Sequence, residues 1–270
     1  MGPIIIQVVA LGALGLVLGG ALGYVGKIFS VKEDENIIAI REALPGINCG
    51  ACGHPGCDGY AAAVADGKAK INECPVGGAD LSARLAEIMG MEEAASIKLA
   101  AYVHCCGNGD AAKTYYAYDG IGDCNATYLL PGSGPKACTF SCIGHASCVA
   151  ACPFGAIDIV NTIAVVNAEK CVACGLCVPI CPKALIEIVP ADAKVRVECH
   201  STDRGPLVRA NCSAGCIGCK LCERNCPHDA IHVTNNLSRV DYEKCTLCGV
   251  CAEKCPTKVI KNFSRTKTDL

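Results

Sequence analysis

Four times along this chain, cysteines stand in a run that closes on a Cys-Pro step: Cys138 to Cys152, Cys171 to Cys181, Cys216 to Cys226 and Cys245 to Cys255. Three of the runs read C-x2-C-x2-C-x3-C-P, and thiols spaced so tightly cannot all pair with one another as disulfides. Of 270 residues, 25 are cysteine, an odd count, against no Trp, four Phe and eight Tyr. Large side chains are too few to fill an ordinary core, so bound metal must organise the fold. Free thiolates in turn place these segments in a reducing compartment. A net charge of −2 and a pI near 6.3 give no footing for a nucleic-acid partner.

The runs belong to an internal repeat. Cysteines 138, 142, 148, 152, 171, 174, 177 and 181 recur at 212, 216, 222, 226, 245, 248, 251 and 255, all at an offset of 74, and Cys124 and Cys199 match at 75. One module is therefore written twice. The first run is imperfect, because SCIGHASCVAACP lies over GCIGCKLCERNCP and puts His145 where the second copy has Cys219. Both copies carry a further cysteine four residues ahead of the C-I-G step, Cys138 and Cys212. The expectation is that Cys138 fills the vacancy, with His145 outside the ligand shell. A histidine ligand is the alternative.

A [4Fe–4S] cube needs four thiolates converging on one small volume. C-x2-C-x2-C supplies three, and the cysteine before proline crosses to a second cube, as in bacterial two-cluster ferredoxins. In the first module Cys138, Cys142, Cys148 and Cys181 are expected to hold one cube and Cys152, Cys171, Cys174 and Cys177 its neighbour. In the second, Cys216, Cys219, Cys222 and Cys255 hold one, and Cys226, Cys245, Cys248 and Cys251 the other. An N-terminal set, NCGACGHPGC followed by Cys74-Pro75, reads C-x2-C-x4-C-x16-C and closes one more site on Cys49, Cys52, Cys57 and Cys74. Paired C-x2-C units also hold zinc, and the N-terminal spacing separates the two metals less sharply than the long runs do. The expected inventory is five [4Fe–4S] clusters on twenty cysteines. Cys105, Cys106, Cys124, Cys199 and Cys212 remain, as buried apolar residues or, for four of them, as a possible sixth cluster. No catalytic triad, phosphate-cradling loop or dinucleotide fingerprint is present. No flavin or NAD is expected on this chain, and no catalytic residue.

Residues Ile4 to Phe29 contain no charge before Lys27, enough apolar length for one membrane-crossing helix. A cleaved signal peptide lacks support, because the first lysines follow the apolar run. By the positive-inside rule the C-terminal side is cytoplasmic. Gly15, Gly19 and Gly23 form overlapping G-x-x-x-G steps that suit packing against another membrane helix. A charged linker follows at Lys32–Asn36. The stretch 80–104 between the first cysteine set and the repeat permits one or two helices and reads as a spacer. The expected fold is α+β and multidomain: anchor 1–29, 4Fe-4S domain 30–79, helical spacer 80–123, ferredoxin module 124–197 and a second module 198–270.

An uncharged N-terminal span, the wording NCGACGHPGC and ferredoxin modules behind it together resemble the B subunit family of Rnf complexes across essentially the whole chain. That resemblance implies a membrane assembly exchanging electrons between ferredoxin and NAD+ while moving Na+ or H+. It implies reduced ferredoxin as donor, other Rnf subunits and lipid as partners, and a single-pass position in the cytoplasmic membrane with the clusters on the cytoplasmic side. The competing reading is a membrane-tethered polyferredoxin serving another oxidoreductase. The two modules here, where shorter members have one, and the His145 substitution are departures from the family pattern.

Overall fold

The computed structural model describes residues 2–28, 34–92 and 97–262. Helix α1 (Gly2–Ile28) has a window, Val9–Gly26, of mean hydropathy 1.8 that touches nothing else in the chain. A helix apolar all round has no face to offer a protein core and suits lipid. The expected linker at Lys32–Asn36 begins outside the described residues.

Three helices build the first domain: α2 (Glu35–Ala43), α3 (Gly56–Ala65) and α4 (Gly78–Met89). Asp34 caps α2 by accepting the Asn36 amide at 2.9 Å. Helix α4 stops at Gly90 in the left-handed conformation. Ile40, Tyr60, Val64, Leu81 and Leu85 interlock as one core, and Tyr60 donates to the Lys70 carbonyl at 2.7 Å. The opening of the expected spacer, 80–89, is thus a helix packed into the first domain.

The described residues of the rest, 97–123, are not helical. Strand β1 (Leu99–Val103) pairs antiparallel with a strand nearly ninety residues on, in register Val103 to Ile186 and Leu99 to Pro190. It opens the first ferredoxin module, which continues through the short helix α5 (Cys124–Tyr128), a 3-10 turn at Pro131–Ser133, α6 (Ser147–Ala150), the hairpin β2 (Ile157–Val160) and β3 (Ile163–Val166), α7 (Cys177–Ile180) and β4 (Ile186–Pro190). The second module repeats the plan: β5 (Val195–Val197), α8 (Gly205–Asn211), α9 (Leu221–Arg224), β6 (Ile231–Thr234), β7 (Leu237–Val240), α10 (Val250–Glu253) and β8 (Ile260–Asn262). Strand β5 pairs with β8, Val197 facing Ile260. Ile186 and Ile260 are 74 apart, so Val103 and Val197 are structural equivalents, and Cys105 and Cys199 after them are too. The offset of 75 pairs Cys199 with Cys124 in sequence, but the strands pair it with Cys105.

Each hairpin turns on two residues of positive φ, Asn161-Thr162 and Asn235-Asn236, the geometry that matches strand twist. The C-I-G step packs onto this turn. Gly144 has φ +86, and a Cβ there would meet the Thr162 carbonyl oxygen at 2.5 Å; at Gly218 the nearest atoms, of Asn236, lie at 3.0 Å. Gly144→Ala should therefore destabilise by about 2 to 4 kcal/mol, combining left-handed strain with a backbone clash. The temperature at which the holoprotein loses its visible absorbance should fall by several degrees, and by less for Gly218→Ala. Gly122→Ala, in open space, should leave it unchanged.

Candidate iron–sulfur centres

Five concavities of about 310 to 350 Å3, partly open to solvent, are each walled by four cysteines. The first is lined by Cys49, Cys52, Cys57 and Cys74. In the first module one is lined by Cys152, Cys171, Cys174 and Cys177. In the second, Cys216, Cys219, Cys222 and Cys255 line one, and Cys226, Cys245, Cys248 and Cys251 another. The cysteine before proline crosses over because each short helix carries it away from its own run and towards the neighbouring one.

The fifth cavity departs from expectation. It is lined by Cys142, Cys148, Cys181 and Cys124; Cys138 lines none of the five. The physical reason lies in α5. Asp123 caps this helix by accepting the Ala126 amide at 2.8 Å, and also accepts from Ser147 Oγ at 2.9 Å, while Ser147 Oγ accepts the Cys124 amide at 2.7 Å. Helix α5 is thereby fastened to the start of α6, where Cys148 sits, and Cys124 reaches the mouth of the site. Cys138 precedes a tight turn, with Ser141 donating twice to its carbonyl. His145 shares its Nδ1 with Thr127 Oγ1 at 2.7 Å and stacks on Tyr118 at 4.9 Å, outside the lining of the cavity.

The cavities suit a group wider than one ion. Among the described residues, no three Cys, His, Asp or Glu side chains close tightly enough for a single metal ion. Backbone amides point at the thiols: Ala101 to Cys171 at 3.3 Å, Ala230 to Cys226 at 3.4 Å, Ala156 to Cys152 and Leu185 to Cys181 at 3.5 Å. Such N–H···S bonds stabilise the charge of a reduced cluster. Burial pushes Cys148 up to about 12 and Cys177 and Cys251 up to about 11, with neighbouring thiolates adding to it. An iron bound here would take the place of the proton on each of these thiols.

Residues 44–76 match the Fe-S cluster family, and residues 141–185 and 215–259 each match the 4Fe-4S dicluster domain. Over 261 residues the chain is 43% identical to the B subunit of the Na+-translocating ferredoxin:NAD+ oxidoreductase complex of Acetobacterium woodii, covering 96% of this chain and 78% of that protein. It is 42% identical to the B subunit of the ion-translocating oxidoreductase complex of Methanosarcina acetivorans, over 97% and 99% of the two chains. The chain belongs to the B subunit family of Rnf complexes. The B subunit of the proton-translocating ferredoxin:NAD+ oxidoreductase complex of Clostridium ljungdahlii is 40% identical over 97% of this chain and 93% of its own. As a B subunit with dicluster ferredoxin domains, the chain is an electron-transfer component of an ion-translocating oxidoreductase.

Proposed function

We propose that the chain accepts electrons from reduced ferredoxin and relays them through [4Fe–4S] cubes in series to redox subunits in the membrane, within a complex that reduces NAD+ and moves Na+ or H+. The ligands are the four cysteines around each cavity, with Cys124 in place of Cys138. The observation that carries this reading is that the two cavities of each ferredoxin module share one core, with Cys142, Cys148 and Cys177 together in the first and Cys216, Cys222, Cys251 and Cys255 in the second.

The anchor α1 lies just ahead of the N-terminal site in the chain, which keeps that cube nearest the lipid. Cys248, exposed on the second module, belongs to the site most distant in sequence from the anchor. Electrons accordingly enter at Cys226, Cys245, Cys248 and Cys251 and leave from the site of Cys49. Lys27 and Lys32 after the apolar run put the clusters on the cytoplasmic side. A Cβ at Gly15, Gly19 or Gly23 would meet nothing within 4 Å, leaving a row of small residues for close approach by a helix of another subunit.

The test is to mix the air-free full chain with reduced ferredoxin and follow the visible absorbance of the clusters. Bleaching by ferredoxin, together with copurification of the other Rnf subunits from membranes, is the expected outcome. Bleaching by dithionite but not by ferredoxin, or isolation with a different oxidoreductase, would overturn the proposal.

A further inference from the structure

With Cys124 placed at the Cys142 site, five cysteines stand outside the five cavities: Cys105, Cys106, Cys138, Cys199 and Cys212. They gather at the seam between the two modules. The segment carrying Cys105 runs beside that carrying Cys199, with Cys106 donating its amide to the Glu198 carbonyl at 3.0 Å and His104 Nδ1 bonded to the Val197 carbonyl at 2.9 Å. The segments carrying Cys138 and Cys212 flank one common stretch. Lys113 donates to Asn211 at 2.9 Å and Ser213 to Ala111 at 2.9 Å on one side, and Ala137 donates to Lys113 at 2.7 Å on the other.

Four of the five are paired by the repeat. Cys138 and Cys212 correspond at the offset of 74, and Cys105 and Cys199 correspond through β1 and β5. The equivalence extends to their surroundings. Cys142 donates its amide to Cys105 Sγ at 3.3 Å, and Cys216, the repeat mate of Cys142, bonds Cys199 in the same way; Ser201 adds a second amide at 3.5 Å. These are the N–H···S bonds that the five cavities also show. Cys106 has no such mate, and its Sγ donates to the Ala214 carbonyl at 3.3 Å.

We infer that Cys105, Cys138, Cys199 and Cys212 hold a sixth [4Fe–4S] cube at the seam, two ligands from each module, joining the Cys142 site to the Cys216 site. The inference rests on the reading above that the grouped thiols of this chain hold cubes.

Two further observations favour an anionic group here over an apolar filling. A Cβ at Gly107 would lie 3.6 Å from both Cys105 Sγ and Cys212 Sγ, so the bare glycine keeps open the space between them. Lys136 is buried beside it, and its ammonium donates to the carbonyls of Gly107 and Thr162, each at 2.9 Å. Both hydrogen-bond partners of the ammonium are neutral carbonyls, and among the described residues it makes no ion pair with a carboxylate. A buried cation without a counter-charge is costly, and a thiolate-bound cube, which is net negative, supplies one. The seam cube also makes the row continuous, since the Cys142 and Cys216 sites otherwise belong to separate cores.

The test is iron and acid-labile sulfide per chain in the anaerobically prepared full-length protein. Six cubes give about twenty-four irons, and five give about twenty. Cys105→Ala and Cys212→Ala should each lower the iron by up to about four while Cys106→Ala keeps it all. About twenty irons in the intact chain, or no loss of iron in either variant, overturns the sixth site and leaves the electron-transfer reading standing. Stoichiometric zinc with no labile sulfide overturns both. If a variant does not fold, the count on the intact chain decides.

Discussion

Cys124→Ala will remove the cube bounded by Cys142, Cys148 and Cys181, whereas His145→Ala will leave its iron in place. The cavity is lined by Cys124, and the histidine points elsewhere, held by Thr127 and Tyr118. The expected loss is about four irons per chain. A double-variant comparison assigns that loss to its site. In a Cys142→Ala background, Cys124→Ala should cost no further iron, because both act on one cube; Cys138→Ala should cost about four more, because it acts on the seam. No loss of iron from Cys124→Ala, with none beyond that of Cys142→Ala when Cys138→Ala is added, would return the chain to the assignment that sequence alone suggests. Because this site lies between the seam and the rest of the first module, its loss should also halt electrons short of the N-terminal cube.

Removing iron altogether should unfold the two ferredoxin modules at room temperature and spare part of the first domain. Each module has only two-stranded sheets, its shortest helices span four residues, and much of its core is cysteine. Two-stranded ribbons and single turns are marginal in water. The backbone also bends into left-handed conformation around the ligands, at Ala146 and Lys220, Ala173 and Leu247, Ala184 and Lys258, and Asp229. These sites cost roughly 1 kcal/mol or more apiece, which cluster binding offsets. The first domain differs, since α2, α3 and α4 share Ile40, Tyr60, Val64, Leu81 and Leu85. After anaerobic chelation, limited proteolysis should degrade residues 97–262 quickly and the segment 35–90 slowly. Equal resistance of the modules with and without iron would show that the polypeptide holds itself.

The legible parts of this protein were those where chemistry fixes a short spacing. The C-x2-C-x2-C-x3-C-P runs, their repeat and the way the cysteine before proline joins the neighbouring run's cavity could all be read from residue positions, because each run sets three thiols within seven residues and marks the fourth by its Cys-Pro step. Two features were not. Leu99–Val103 reads LAAYV, an apolar run too short for periodicity to separate helix from strand, and its partner β4 is far away in sequence. Its misreading as spacer hid the equivalence of Cys105 and Cys199. Thirty-three positions separate Cys105 from Cys138 against thirteen between Cys199 and Cys212, so an insertion in the first module shifts the alignment and sets Cys124 opposite Cys199. The insertion itself carries α5 and hence Cys124, which lines the Cys142 cavity. A cap signal existed in Asp123 followed by Cys-Asn-Ala, but only the bond from Ser147 shows where that helix docks.

Thiols grouped around iron and sulfide would make this chain a conductor, and the most direct measurement is Mössbauer spectroscopy of the iron-57-enriched full chain prepared without air. The expected spectrum is made up of [4Fe–4S] signals that change oxidation level when reduced ferredoxin is added. A chain with no cluster iron, its cysteines occupied by zinc or left as thiols, would contradict it.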